Sequence, residues 1–291
     1  MNALLTPWAL FMTAEPAHLI WLTLLLPLAA TGGNLAFKQM PNLRDGMTFV
    51  FAVLLFIVVM AIVTRFQAGT SFAMEVVTFM PGLTIAFEIE ELGLVFACVA
   101  SFLWILTHIY GIGYMRGNNE KKHARFFACF GFAIFATMGI AFSANLLTLF
   151  LFYELLTVST YPLVGHKENE AARRGARTYL GILMGTSILF LLPAIIWTYA
   201  QTGTMDFVPG GVFGDTEISP LFLGIMLGLY AFGIGKAALM PFHGWLPAAM
   251  VAPTPVSALL HAVAVVKAGV FSMLKIGVFI FGIDTLNMTG A

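Results

Sequence analysis

Charge is what this chain has least of. Asp, Glu, Lys and Arg fill only 10% of its 291 positions, against roughly 25% in a soluble domain. Hydrophobic residues fill 60% and the mean hydropathy is +0.93. A soluble fold this apolar could not cover its surface with polar groups, so a lipid bilayer must form part of its solvent. The net charge is zero, which excludes the basic footprint of a nucleic-acid binder. There are two cysteines, Cys98 and Cys129. Both lie in apolar runs without a CxxC or metal-ligand spacing, which excludes a disulfide framework or zinc site and leaves small buried hydrophobes. The first fifteen residues lack Lys and Arg, so no basic n-region of a cleavable signal peptide is expected. Low-complexity tracts and long linkers are also lacking. GIGKAA is not a phosphate-binding loop: Tyr230 stands where its first glycine belongs, and Ala237 follows Lys236. His108 and His261 lack the paired spacing of haem ligands. With no nucleophile–base pair, flavin or iron–sulfur pattern either, neither a cofactor nor a self-contained enzymatic site is expected.

What is there is long apolar runs. A helix needs about 20 apolar residues to cross the hydrocarbon core, and eight stretches qualify: 18–36, 46–66, 90–114, 124–143, 145–165, 177–201, 218–247 and 255–282. The expected fold is an all-α integral membrane protein of about eight transmembrane helices. The seventh stretch holds Gly233, Gly235, Pro241, Gly244 and Pro247. Proline removes a helical N–H and glycine lowers the cost of unwinding, so helix seven is predicted to break there. Residues 70–91, with a Pro–Gly turn and the alternating string TIAFEIE, read as a short hairpin outside the membrane.

The loops divide by charge. With the N-terminus outside, the inner loops carry Lys38, Arg44, Arg116, Lys121, Lys122, Arg125, Lys167, Arg173, Arg174 and Arg177, and the outer ones only Arg65. The outer segments are acidic, with Glu15, Glu75, Glu88, Glu90, Glu91, Asp206, Asp215, Glu217 and Asp284. This bias predicts that both termini lie outside.

Four ionisable groups remain inside the spans: Glu154, Lys236, Lys267 and Lys275. Each costs about 2.5–3.5 kcal/mol at mid-bilayer on insertion scales, which points to function. Glu154 falls roughly 14 Å into its span, with Thr157, Thr160 and Tyr161 following at helical spacing and Tyr153 beside it. Lys236 lies at the GIGK break, where unwound backbone can supply polar partners and admit water. The two form the expected ion pair. A static pair is an inefficient lock, because desolvation can exceed the Coulombic gain. In the eighth span His261 lies about 9 Å and Lys267 about 18 Å from the inner end. On an unbroken helix Ser257, His261, Ser272 and Lys275 share one face, whereas Lys267 points about 120° away from His261. Lys267 therefore faces a different neighbour, or the helix is distorted near Gly269. Lys275, near the outer end, is expected to snorkel to the interface and is a possible outer exit. His123, His166 and His243 fall at loop edges, where solvated or interfacial roles suffice.

The segment GIGKAALMPFHGWLPAAMVAPTPVSALLHAVAVVKAGVF (233–271) resembles the signature of the proton-conducting antiporter-like subunits shared by Mrp cation/proton antiporters, respiratory complex I and membrane-bound hydrogenases. Its APTPVSALLHAVAVVKAG stretch is most similar to the Mrp D-type branch. Residues 87–116, and 145–166 with their glutamate, agree with it. The resemblance implies that Glu154 is the helix-five glutamate, Lys236 the lysine of the broken helix seven, Lys267 the central helix-eight lysine and His261 the histidine preceding it. Together they would relay protons after a charge displacement in a neighbouring subunit. It further implies three leading helices (1–116) followed by one five-helix repeat (117–291), where such subunits usually carry a second, inverted repeat. The expected partners are other membrane subunits, one supplying the second repeat, together with protons, possibly Na+, and lipid. The expected location is a bacterial cytoplasmic membrane. The competing expectations are a subunit of a redox-driven pump of the NADH-quinone oxidoreductase or hydrogenase type, and an assembly scaffold that transports nothing.

Overall fold

The computed structural model describes residues 7–80, 82–213, 219–258 and 264–289. A short helix α1 (Pro7–Thr13) leads into α2 (Pro16–Ala36) and α3 (Pro41–Gln67). Both long helices open on a proline at the first helical position, where the missing N–H costs nothing. Strands β1 (Ala73–Met80) and β2 (Leu83–Glu88) pair antiparallel with Ala73 opposite Glu88, forming the expected hairpin. Then follow α4 (Glu91–Gly117), α5 (His123–Ala141) and α6 (Leu146–Val164). α7 (Glu170–Thr186) runs through a wide π turn, Ser187–Leu191, into α8 (Leu192–Thr202). Asn145 and Asn169 cap α6 and α7 by accepting from the N–H groups of Thr148 and Ala172.

Six of these helical runs are long and apolar enough to span a membrane: Pro16–Ala36, Pro41–Gln67, Glu91–Gly117, His123–Ala141, Leu146–Val164 and Glu170–Thr202. The seventh expected span is in pieces: α9 (Pro220–Gly233), two 3-10 turns (Gly235–Ala237 and Phe242–Gly244) and α10 (Trp245–Ala249). The eighth stretch holds α11 (Thr254–Ala258), α12 (Val265–Ile276) and a π turn, Gly277–Phe281, ahead of α13 (Ile283–Thr289). The predicted break is there. In the eighth stretch residues 259–263 lie outside the described residues, and Ala264 forms a bend just ahead of α12.

Packing selects between faces that are equally apolar. On α4, Ala97, Ser101, Trp104, His108, Gly111 and Met115 turn inward, while Val95, Val99, Phe102, Leu106 and Ile109 are exposed. The exposed stripe suits lipid or another subunit. The buried one packs partly through Phe96 stacked on Phe271 at 5.0 Å.

The two ends of the bundle differ in chemistry. At one end Asp45 is held by Arg44 at 2.7 Å and Arg116 at 2.6 Å, and Glu168 by Lys122 at 2.7 Å and Arg125 at 2.6 Å. These bonds join the basic loops that sequence assigns to one side. At the other end the hairpin sits on the α5–α6 turn: the N–H of Ala86 donates to Thr148 Oγ1 at 3.0 Å and Asn145 Nδ2 donates to the Thr84 carbonyl at 2.7 Å.

Candidate functional site in the membrane interior

Lys236 is fully buried. α9 stops at Gly233, and Ala238 adopts a left-handed φ of 56°, so the backbone unwinds around the lysine. Glycines make room for this. A Cβ on Gly233 would fall on the Leu191 backbone of the π turn, one on Gly235 on Thr186 Oγ1, and one on Gly269 on the backbone of Lys236 and Ala237. The break is thus wedged between the α7–α8 run and α12. Trp245 Nε1 donates at 2.9 Å to the carbonyl of Gly235, which also accepts from the Ala238 N–H at 3.0 Å.

The ammonium of Lys236 is bound by neutral groups. Nζ donates to the Tyr153 carbonyl at 2.8 Å and to Thr157 Oγ1 at 2.6 Å, and lies 3.2 Å from the centroid of the Tyr153 ring. The Lys236 backbone N–H donates to the Tyr153 hydroxyl at 3.1 Å. One helical turn on, Thr160 and Tyr179 share a hydrogen bond of 2.6 Å, and the Tyr179 ring meets Trp245 edge-on.

Glu154 does not complete the expected ion pair. Among the described residues no cation stands within 4.0 Å of it, and neither carboxylate oxygen has a hydrogen-bond partner. Helical geometry explains this. Tyr153 and Thr157, four apart, share the face that holds Lys236, and Glu154 is turned about 100° from Tyr153. Its side chain borders a cavity of about 490 Å³ on the flank of the bundle, walled by Trp21, Leu24, Phe135, Leu151 and Val158, but both carboxylate oxygens are covered by protein.

α12 separates the two remaining lysines. Ala268, Gly269, Ser272 and Lys275 form its buried face, while Lys267, Val270 and Leu274 are exposed. Ser272 and Lys275 share a face as expected, and Lys267 faces elsewhere. His261 lies outside the described residues. The snorkelling expected of Lys275 is not observed. Its side chain is 1% exposed, its Nζ reaches Glu90 Oε1 at 2.6 Å, donates to the Ser143 carbonyl at 2.6 Å and lies 4.5 Å from the Phe207 ring centroid. Burial is tolerated because a carboxylate and a carbonyl replace water around the charge. Glu90 was legible only as one of several acidic loop residues. Its place just before the apolar run of α4 was a cue to its depth, but nothing local tied it to Lys275.

Comparison with known proteins agrees with the fold. Residues 143–289 match the family described as NADH:quinone oxidoreductase/Mrp antiporter, TM, and residues 74–127 match the NADH-ubiquinone oxidoreductase (complex I) chain 5 N-terminus. A Staphylococcus haemolyticus protein named as antiporter subunit mnhA2 is 31% identical over 88% of this chain and 29% of its own length. The NADH-quinone oxidoreductase subunit L of Campylobacter jejuni is 29% identical over 70% of this chain and 34% of its own. The chain therefore spans about a third or less of these relatives. A chain of an archaeal respiratory membrane complex, the membrane-bound sulfane sulfur reductase, superimposes with a TM-score of 0.79 at 21% identity, covering 94% of this chain and 55% of that one. With more than half its length inside the family match and the membrane fold shared, the chain belongs to the NADH:quinone oxidoreductase/Mrp antiporter transmembrane family.

Proposed function

We propose that the chain is a proton- or cation-translocating membrane subunit of a multi-subunit antiporter-type complex. The observation that carries this reading is Lys236, a fully buried amine at a helix break, bound by a carbonyl, a hydroxyl and a ring face and, among the described residues, by no counter-ion. Among the described residues no carboxylate touches the ammonium, so the group is suited to losing its proton as well as taking one.

In this reading Glu154, Lys236, Lys267 and His261 relay the proton, and Lys275 lies at the outer end of the route. Glu154 lies buried behind the flank of the bundle, where a charge displacement in a neighbouring subunit can alter its protonation and, through Tyr153 and Thr157 on the same helix, the hold on Lys236. Lys267 is exposed on α12, as suits a residue that hands on to another segment, and we assign that segment to a second repeat supplied by a partner. Residues 1–116 would form the leading helices and 117–291 the repeat, in a bacterial cytoplasmic membrane with both termini outside. A second reading, a membrane subunit of a redox-driven pump, is favoured by the relationship to an NADH-quinone oxidoreductase subunit and by the respiratory complex with the same fold. Any redox chemistry then belongs to partner subunits, and iron–sulfur subunits in the purified complex would favour it. The test common to both is transport in vesicles. Lys236→Ala and Glu154→Gln should each abolish it while the complex still assembles, and full transport in both variants would refute the proposal.

A further inference from the structure

The buried face of α12 connects the helix break to a second ionisable site. Gly269 lies against the backbone of Lys236 and Ala237, and Ser272 and Lys275 follow on the same face, so Lys275 stands about 9 Å further along the helix than that contact. Its Nζ meets Glu90 Oε1 at 2.6 Å. Both groups line an open cavity of about 500 Å³ whose walls include Glu88, Glu91, Ser71, Ser143 and Phe207. The cavity lies at the hairpin end of the bundle, opposite the basic loops. Lys275 is 1% exposed, whereas the Glu90 side chain is 18% exposed. Lys275 borders the cavity while almost wholly covered, and Glu90 is the partner with appreciable exposure there. A lock between helices has no need of that asymmetry, whereas a step from a dry interior to a wet vestibule requires it.

We propose that Glu90 is a proton-transfer residue, the last carrier between Lys275 and the outer vestibule. This rests on the translocation reading above. In the step, the Lys275 ammonium gives a proton to the Glu90 carboxylate, leaving a neutral amine and a carboxylic acid. The acid then releases that proton to water in the cavity, and the amine is reloaded from the interior. Charge and atoms balance, and no co-reactant is needed. In the reverse direction the same pair admits protons.

The experiment uses the native complex in sealed vesicles and reads proton flux, with Lys236→Ala alongside. Glu90→Gln should lower flux about a hundredfold or more, in line with the contribution of a positioned acid–base group, while Glu90→Asp keeps most of it and assembly is unchanged. A third variant separates relay from lock. With Cys98 and Cys129 replaced, Glu90→Cys is modified from outside with sulfonatoethyl methanethiosulfonate, which restores a permanent anion that cannot carry a proton at neutral pH. The relay predicts no recovery of flux. Wild-type flux in Glu90→Gln, or recovery on adding the sulfonate, would overturn the assignment and leave the pair an electrostatic brace. Full flux in Lys236→Ala would instead bring down the translocation reading on which it rests.

Discussion

At the scale of single residues, two lysines on neighbouring segments meet burial differently. Lys275 has a carboxylate at 2.6 Å, and Lys236 has Thr157 Oγ1, the Tyr153 carbonyl and a ring. Hydrogen bonds to a charged group are worth about 1.5–3 kcal/mol, so Thr157→Val should destabilise the protonated form of Lys236 by that order. Slower transport and a lower unfolding temperature of the purified complex are expected, with Thr157→Ser near wild type on both. Unchanged transport in Thr157→Val would mean that the hydroxyl is incidental. Sequence alone singled out Lys236, because an amine inside an apolar span has few bland explanations. It did not reveal which groups hold it. Glu154 is the obvious mate by charge, yet it occupies the wrong face of α6, and the true partners are a backbone carbonyl and a threonine that carry no charge to notice.

At the scale of elements, the break in the seventh stretch depends on close backbone approach. A side chain at Gly269 would collide with the backbone of Lys236 and Ala237, which cannot move aside as a flexible side chain would. Gly269→Val is expected to cost about 1–3 kcal/mol and to push α12 away from the lysine, reducing transport. Gly113→Ala and Gly181→Ala, where nothing lies within 4 Å of the added carbon, should leave transport and assembly intact. Comparing unfolding and flux across the three variants checks the point. The break itself was legible, since five glycines and prolines interrupt one apolar run. The π turn at Gly277–Phe281 was not. Nor could hydropathy tell which stripe of α4 faces inward: Val99 and Ala97 are both apolar, and in a bilayer the exposed face is as greasy as the core.

At the scale of the whole molecule, charge is divided between the ends, and one end is bolted by ion pairs. Lys122 and Arg125 lower the carboxyl of Glu168 from its ordinary 4.5 to about 2. A depressed carboxyl stabilises the folded protein above its unfolded value and ceases to as pH falls through its folded one. The stability advantage of wild type over Glu168→Gln should therefore be full above about pH 4.5 and vanish toward about pH 2. It should also shrink with salt, since the pair is exposed; thermal unfolding over that range measures both. The membrane class, the hairpin, the basic end and the family resemblance were all readable from composition and order. Long-range pairing was not, as between Lys275 and Ser143, 132 positions away. If Lys236 exchanges a proton inside the membrane, an arginine in its place must stop the flux. Arginine keeps the positive charge but does not deprotonate in a protein. Proton flux through the assembled complex under an imposed pH gradient should fall in Lys236→Arg as far as in Lys236→Ala. Wild-type flux in Lys236→Arg would show that the site requires only a fixed cation, and would contradict the claim.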